Sequence, residues 1–202
     1  MSVHSEIEKM EFITRNRLEN FWKVSSKNKE IHFLPAEFSG NGANQFVIYL
    51  NGLSVQEQIK KTNGLINYPF ESQERTFGIR KNRFWTNSEE KILKKIANEK
   101  GRPGYYLVEI IENFTDDNLP KNWRPASVNE TTEILQSIFY VSGLRYLEDR
   151  MHIASEENKT VLAVGDFKPG QGLEIWRGHK EIFKKYKKQG AILVYQVNEK
   201  RL

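Results

Sequence analysis

The chain has 202 residues, no cysteine, and 31 Lys/Arg against 26 Asp/Glu, a formal net charge of +5. The lack of cysteine excludes disulfides, Cys-ligated zinc and thiol catalysis, and fits a reducing, cytoplasmic compartment. Apolar residues at 38% and aromatics at 12% can fill a core, and with no apolar run near twenty residues the expectation is no transmembrane helix and no membrane partner.

The opening MSVHSEIEKMEF is polar and mixed in charge, unlike a signal peptide. Ile7, Met10, Ile13, Leu18 and Trp22 recur at helical spacing, which predicts a helix over 5–24. HFLPAEF and NQFVIYLNGL read as strands joined by the turn SGNGAN, with Phe46, Ile48 and Leu50 alternating against Val47 and Tyr49. A short helix fits 55–61, and a strand fits RTFGIRKNRFW. Ser88 is suited to cap the helix EEKILKKIANEK, with Gly101 as its stop. GYYLVEIIENF is β-rich, and residues 115–126, with Pro120 and Pro125, read as a loop.

From there Asn129 is placed as the cap of ETTEILQSIFYVSG, a helix with Ile134, Leu135, Ile138 and Phe139 on one face. RYLEDRMHIAS reads as a strand, EENK as a polar turn and TVLAVGDFK as a buried strand. GLEIWRGHKEIFKKYKKQG is expected to be one amphipathic helix closed by Gly190, and AILVYQVN a last buried strand. Trp176 and His179 are assigned to core packing. The fold class is therefore mixed α/β, with a β-rich region over 1–126 and an α-β-β-α-β unit over 127–202. One continuous domain fits the same pattern.

Charge is unevenly distributed. Residues 168–202 hold nine Lys/Arg against three Glu, so the positive excess lies in this tail. Such a patch suits a polyanion partner, although a solvated lysine-rich helix has the same composition. On the expected helix Arg177, Lys180, Lys184 and Lys188 recur three and four apart, opposite Ile175, Ile182, Phe183 and Tyr186, and would contact phosphates without reading bases. In the β-rich region Phe77, Phe84 and Trp85 stand beside Arg75, Arg80, Lys81 and Arg83. They suit either a core or a base-stacking platform.

Acids gather at the strand ends: Glu148 and Asp149 close RYLED, and Asp166 lies two residues before Lys168, so the latter pair shares a strand face. Carboxylates from two strands can hold a Mg²⁺ ion that keeps waters and substrate phosphate, with a lysine beside the nucleophile. The four histidines show no metal-ligand spacing, and no Walker or Rossmann fingerprint is present.

The order of elements, with the D-F-K ending, resembles the PD-(D/E)xK nuclease superfamily. The tail KPGQGLEIWRGHKEIFKKYKKQGAILVYQV is similar to its VRR-NUC and Holliday-junction-resolvase-like branches. The resemblance covers residues 129–198. Here Glu148, not proline, precedes the first acid, and the second motif is D-F-K. It implies a restriction-endonuclease-like core and a Mg²⁺- or Mn²⁺-dependent phosphodiesterase acting on nucleic acid, DNA ahead of RNA. A homodimer is compatible with it. Carried over by position, Asp149 and Asp166 would be metal ligands and Lys168 the catalytic lysine. Glu133 or Glu130 would take the helical acidic position. The competing expectation is a non-enzymatic nucleic-acid-binding or regulatory protein using the same basic helix.

Overall fold

The computed structural model describes residues 31–33, 44–62, 75–76, 79–80, 95–111, 114, 119, 122–142, 145–168 and 172–196. The helix expected over 5–24, the Gly40–Gly42 turn, Ser88, and the aromatics Phe77, Phe84 and Trp85 lie outside them. The elements are β1 (Ile31–Phe33), β2 (Asn44–Leu50), α1 (Val55–Thr62), β3 (Arg75–Thr76), β4 (Ile79–Arg80), β5 (Gly104–Ile111), β6 (Arg124–Pro125), α2 (Val128–Ser142), β7 (Arg150–Glu157), β8 (Thr160–Lys168), β9 (Gly172–His179), α3 (Lys180–Tyr186) and β10 (Lys188–Gln196). Residues 95–98 are also helical. No helix among the described residues is long and apolar enough to cross a membrane.

One mixed sheet runs β1-β2-β5-β10-β7-β8-β9, with β6 also paired to β10, while β3 and β4 form a separate ladder. The fold is thus mixed α/β. All pairs in the large sheet are antiparallel except β10 with β7. Because β10 pairs with β5, strands from both sides of residue 126 share this sheet. The alternation in β2 buries Phe46, Ile48 and Leu50, and that in β5 buries Tyr106, Val108 and Ile110. β8 differs: it is buried from Val161 to Phe167. Leu162 and Val164 join the main core with Ile134, Leu135 and Ile138 of α2, whereas Val161 and Ala163 pack with Met151 and Phe183 of α3. Consecutive strand residues point to opposite faces, so α2 and α3 cover the two sides of β8.

The start of α2 corrects one expectation. Ser127 precedes the helix, whereas Asn129, the expected cap, lies within it. The Ser127 N–H donates to Glu130 Oε2 at 2.9 Å, closing half of a Ser-x-x-Glu capping box. The Arg124 guanidinium grips both Glu130 oxygens, at 2.7 and 2.6 Å. Burial works against the Glu130 charge, but Arg124 and the Ser127 N–H more than reverse it and hold the carboxyl below its ordinary value.

The pairing of β10 changes along its length. Lys188–Gly190 pair with β7, Ala191–Gln196 with β5, and Leu193–Val194 with β6. His152, buried on β7, fills the junction where β7 leaves β10. Its Nδ1 accepts from the Ile192 N–H at 3.1 Å, and its Nε2 lies 2.8 Å from the Ala126 carbonyl. The Ala126 N–H in turn donates to the Ile192 carbonyl at 2.9 Å. This pattern puts the single ring proton on Nε2 and requires a neutral imidazole.

Burial lowers the His152 pKa to about 4, against the weaker pull of the Ala126 carbonyl and the Glu130 charge. Between that value and about 6.5 the unfolded chain binds the extra proton and the fold does not, so stability falls as pH falls, by up to about 3 kcal/mol. Urea midpoints measured from pH 7 to pH 5 should decline in the wild type, and the decline should flatten in His152→Gln. Equal slopes in the two proteins would refute this account of His152.

Candidate functional site

The inner end of β8 carries a break in pairing. Gly165 faces Glu174 and Lys168 faces Gly172, so two residues of β8 oppose one of β9. This is a β-bulge, and Asp166 within it has φ 48°, a left-handed conformation that aspartate tolerates better than most residues. The extra residue resets the alternation. Phe167 stays in the α2-side core, edge-on to Phe139 with ring centroids 5.2 Å apart. Asp166 turns instead toward Glu174 and the end of α3. Gly165 is needed for the crossing with β7, because a Cβ there would lie 2.1 Å from the Arg150 carbonyl oxygen.

Asp166, 8% exposed, meets two lysines on different oxygens. Lys168 Nζ lies 3.3 Å from Oδ1, and Lys187 Nζ bonds Oδ2. The Lys187 ammonium also reaches Glu174 Oε2 at 3.3 Å, so it sits between the two carboxylates. Burial opposes the Asp166 charge, but the hydrogen bond and charge of Lys187, then those of Lys168, hold its carboxyl below the ordinary value. Glu174 goes the other way. Burial pushes it up, and Asp166 adds to the effect despite the pull of Lys187. Burial likewise works against the Lys187 charge, and the two acids more than restore it.

Asp149 lies at the same end of the sheet for a reason other than the expected one. Residues 146–149 form a turn, and β7 begins after them at Arg150. Because β7 runs antiparallel to β8, the start of one stands beside the end of the other. The Leu147 carbonyl fastens the turn by accepting from the Phe167 N–H at 3.1 Å, with Leu147 itself at φ 56°. The Asp149 carboxylate pairs with Lys188 Nζ at 2.5 Å and Arg150 Nε at 3.6 Å. Lys188 holds its pKa below the ordinary value. Asp166 and Lys168 are thus brought together, while Asp149 belongs to a neighbouring ion pair.

Glu133 does not join them. Its carboxylate accepts from the Asn51 N–H at 2.6 Å, Asn51 Nδ2 at 2.8 Å and the Leu53 N–H at 3.3 Å, which pins the loop after β2 onto α2. Next to it the Gln58 amide donates to the Leu53 and Asn129 carbonyls and accepts from Gln136 Nε2.

The single helix expected over 172–190 is also corrected: β9, α3 and β10 divide that stretch. Leu173 and Ile175 are buried while Glu174 and Trp176 are partly so, a period of two that β8 selects by pairing with β9. Arg177 lies on β9, Lys180 opens α3 and pairs with Glu156 at 2.7 Å, Lys184 is exposed on α3, and Lys188 begins β10. They form no continuous helical stripe. Trp176 packs on Phe183 at 5.5 Å between ring centroids, but His179 is exposed and caps α3 by accepting from the Glu181 N–H. Ile182, expected on the apolar face, is 53% exposed.

Glu174 and Lys187 are the site residues that motif reasoning missed. The one sequence signal for Glu174 was an acid inside the alternating run LEIW. The divalent cation implied by the family resemblance needs oxygen donors. Asp166 and Glu174 supply two carboxylates around a position where the Lys187 ammonium stands in as a cation. This donor set fits an ion that fills the rest of its shell with water and phosphate. Among the described residues no group of three or more His, Cys, Asp or Glu gathers to hold a metal. No protein-family model, no curated protein and no solved structure matches this chain.

Gly165→Ala should cost about 3 kcal/mol of stability, because the new methyl overlaps backbone that cannot yield cheaply. Glu133→Ala should cost about as much by leaving the Asn51 and Leu53 amides unsatisfied. Urea denaturation measures both, and a change below about 0.5 kcal/mol in either would contradict the contact assigned to it.

Proposed function

We propose that this chain is a divalent-metal-dependent nuclease that hydrolyses phosphodiester bonds in DNA. The restriction-endonuclease-like part would be α2, β7, β8, β9, α3 and β10. The observation that carries the reading is the convergence of Asp166 and Glu174, from adjacent strands, on one cationic position beside Lys168. Mg²⁺ or Mn²⁺ held there would supply an activated water and neutralise charge on the displaced oxygen. Asp166 and Glu174 are the residues to hold it.

Lys168 is 43% exposed along its side chain, so it can reach a phosphate while staying tied to Asp166 Oδ1. In this reading Lys168 would carry its positive charge beside the attacking water. Lys184 and Lys185 on the exposed side of α3 extend a basic surface away from the site, suited to phosphates of the flanking backbone. Asp149, with Lys188 and Arg150, would shape the rim.

The rival reading, a nucleic-acid-binding protein without catalysis, draws on one specific observation. Asp149 and Asp166 are each already neutralised by lysine. The two readings part in a supercoiled-plasmid assay with Mg²⁺ or Mn²⁺. Hydrolysis predicts metal-dependent nicking, reduced about a hundredfold or more in Asp166→Asn and in Lys168→Ala, with salt-sensitive DNA binding largely kept. Nicking that survives in both variants sinks the site. Binding that ignores EDTA, with no nicking by the wild type, favours the rival.

A further inference from the structure

We infer that Lys187 is a tethered cation that competes with the divalent ion for the Asp166–Glu174 pair, so that the metal site forms only when this side chain is expelled. The inference rests on the metal-dependent reading above and adds a residue and an order of events to it.

The case starts from the backbone. Lys187 is the C-cap of α3, extended at φ −123° and ψ 139°, and its N–H donates to the Phe183 carbonyl at 2.9 Å. Phe183 is buried against Met151, Val161 and Ala163, and Lys188, which follows Lys187, begins β10. The main chain of Lys187 is therefore held from both sides, and only its side chain is free to move. That side chain is 22% exposed, so a route to solvent exists.

The ammonium bonds Asp166 Oδ2 and Glu174 Oε2, one oxygen from each carboxylate. Lys168 uses the other oxygen of Asp166. Expelling Lys187 thus frees one oxygen on each acid while leaving Lys168 in place. It also leaves two adjacent carboxylates with too little positive charge between them, which favours entry of a doubly charged ion over a return to the open pair. The departing ammonium is tethered by a four-carbon stem, so it stays close to the site after it leaves the pair. The arrangement keeps the acids paired when no metal is present and links opening of the site to loading.

Mn²⁺ binding to the full chain, without nucleic acid, tests this at pH 8 by electron paramagnetic resonance or calorimetry. The proteins are the wild type, Lys187→Gln, Lys187→Ala and Asp166→Asn. Both Lys187 variants should bind Mn²⁺ about tenfold more tightly than the wild type, the scale of a partly exposed ion pair. They should lose thermal stability without metal and regain it when Mn²⁺ is added. The glutamine variant keeps the stem length, so it covers the case in which alanine disturbs the end of α3. Asp166→Asn should bind weakly or not at all. Wild-type binding that is abolished in Asp166→Asn but unchanged in both Lys187 variants would overturn the competition and leave the metal site standing. No Mn²⁺ binding in any of the four proteins would overturn the competition and the metal-dependent reading together.

Discussion

β10 must satisfy different neighbours along nine residues, and the charged corner depends on how it does so. Its first residues lie parallel to β7, its later ones antiparallel to β5 and β6. A strand that loses a partner midway leaves backbone donors and acceptors facing nothing, at a cost comparable to a lost hydrogen bond each. The His152 imidazole occupies that gap and bonds the Ile192 N–H directly. With the register of β10 set there, its first residue, Lys188, and the α3 cap just before it, Lys187, are fixed as well. Lys187 faces the Asp166–Glu174 pair and Lys188 faces Asp149.

The same molecule buries acids in two contrasting ways. Glu130 and Glu133 are almost fully buried and almost fully bonded, to Arg124 and Ser127 in one case and to the 51–53 amides in the other. Every oxygen there has a partner within the fold, so these carboxylates hold the N-terminal half of α2 against its neighbours. Asp166 and Glu174 instead depend on long lysine side chains that reach them from near the surface. Carboxylates held by backbone amides are architecture. Carboxylates held by lysine side chains that reach solvent can exchange partners.

Much of this was visible in the residue order. The alternation in NQFVIYL, the apolar run VLAV and the helix through ILQSIF each have one dominant period, and each element formed as its pattern implies. Asp166 and Lys168 were legible as a pair because spacing along one strand is local. The division of residues 172–190 was not. Its lysines and apolar residues fit a helical wheel, while Leu173 and Ile175 fit a strand, and only pairing with β8 decides between the two. Glu174 became recognisable once that pairing placed it opposite Gly165. Lys187 required the turn of α3 into β10 as well. Glu133 looked available from its helical position because nothing local announces that residues eighty positions earlier in the chain will bond it.

The position of β10 also bears on how the protein is made. It is the last of the described strands in chain order, yet it lies in the interior of the sheet between β5 and β7. A ribosome that has released everything through α3 has produced a sheet in two pieces, each with an open edge where β10 will go. Open edges of this kind invite pairing with other chains. The closing contacts also span long sequence separations, which slows the search for them. The newborn chain therefore passes through an interval of exposed edges that ends only when β10 slides between them, and that same event draws Lys187 and Lys188 into the charged corner.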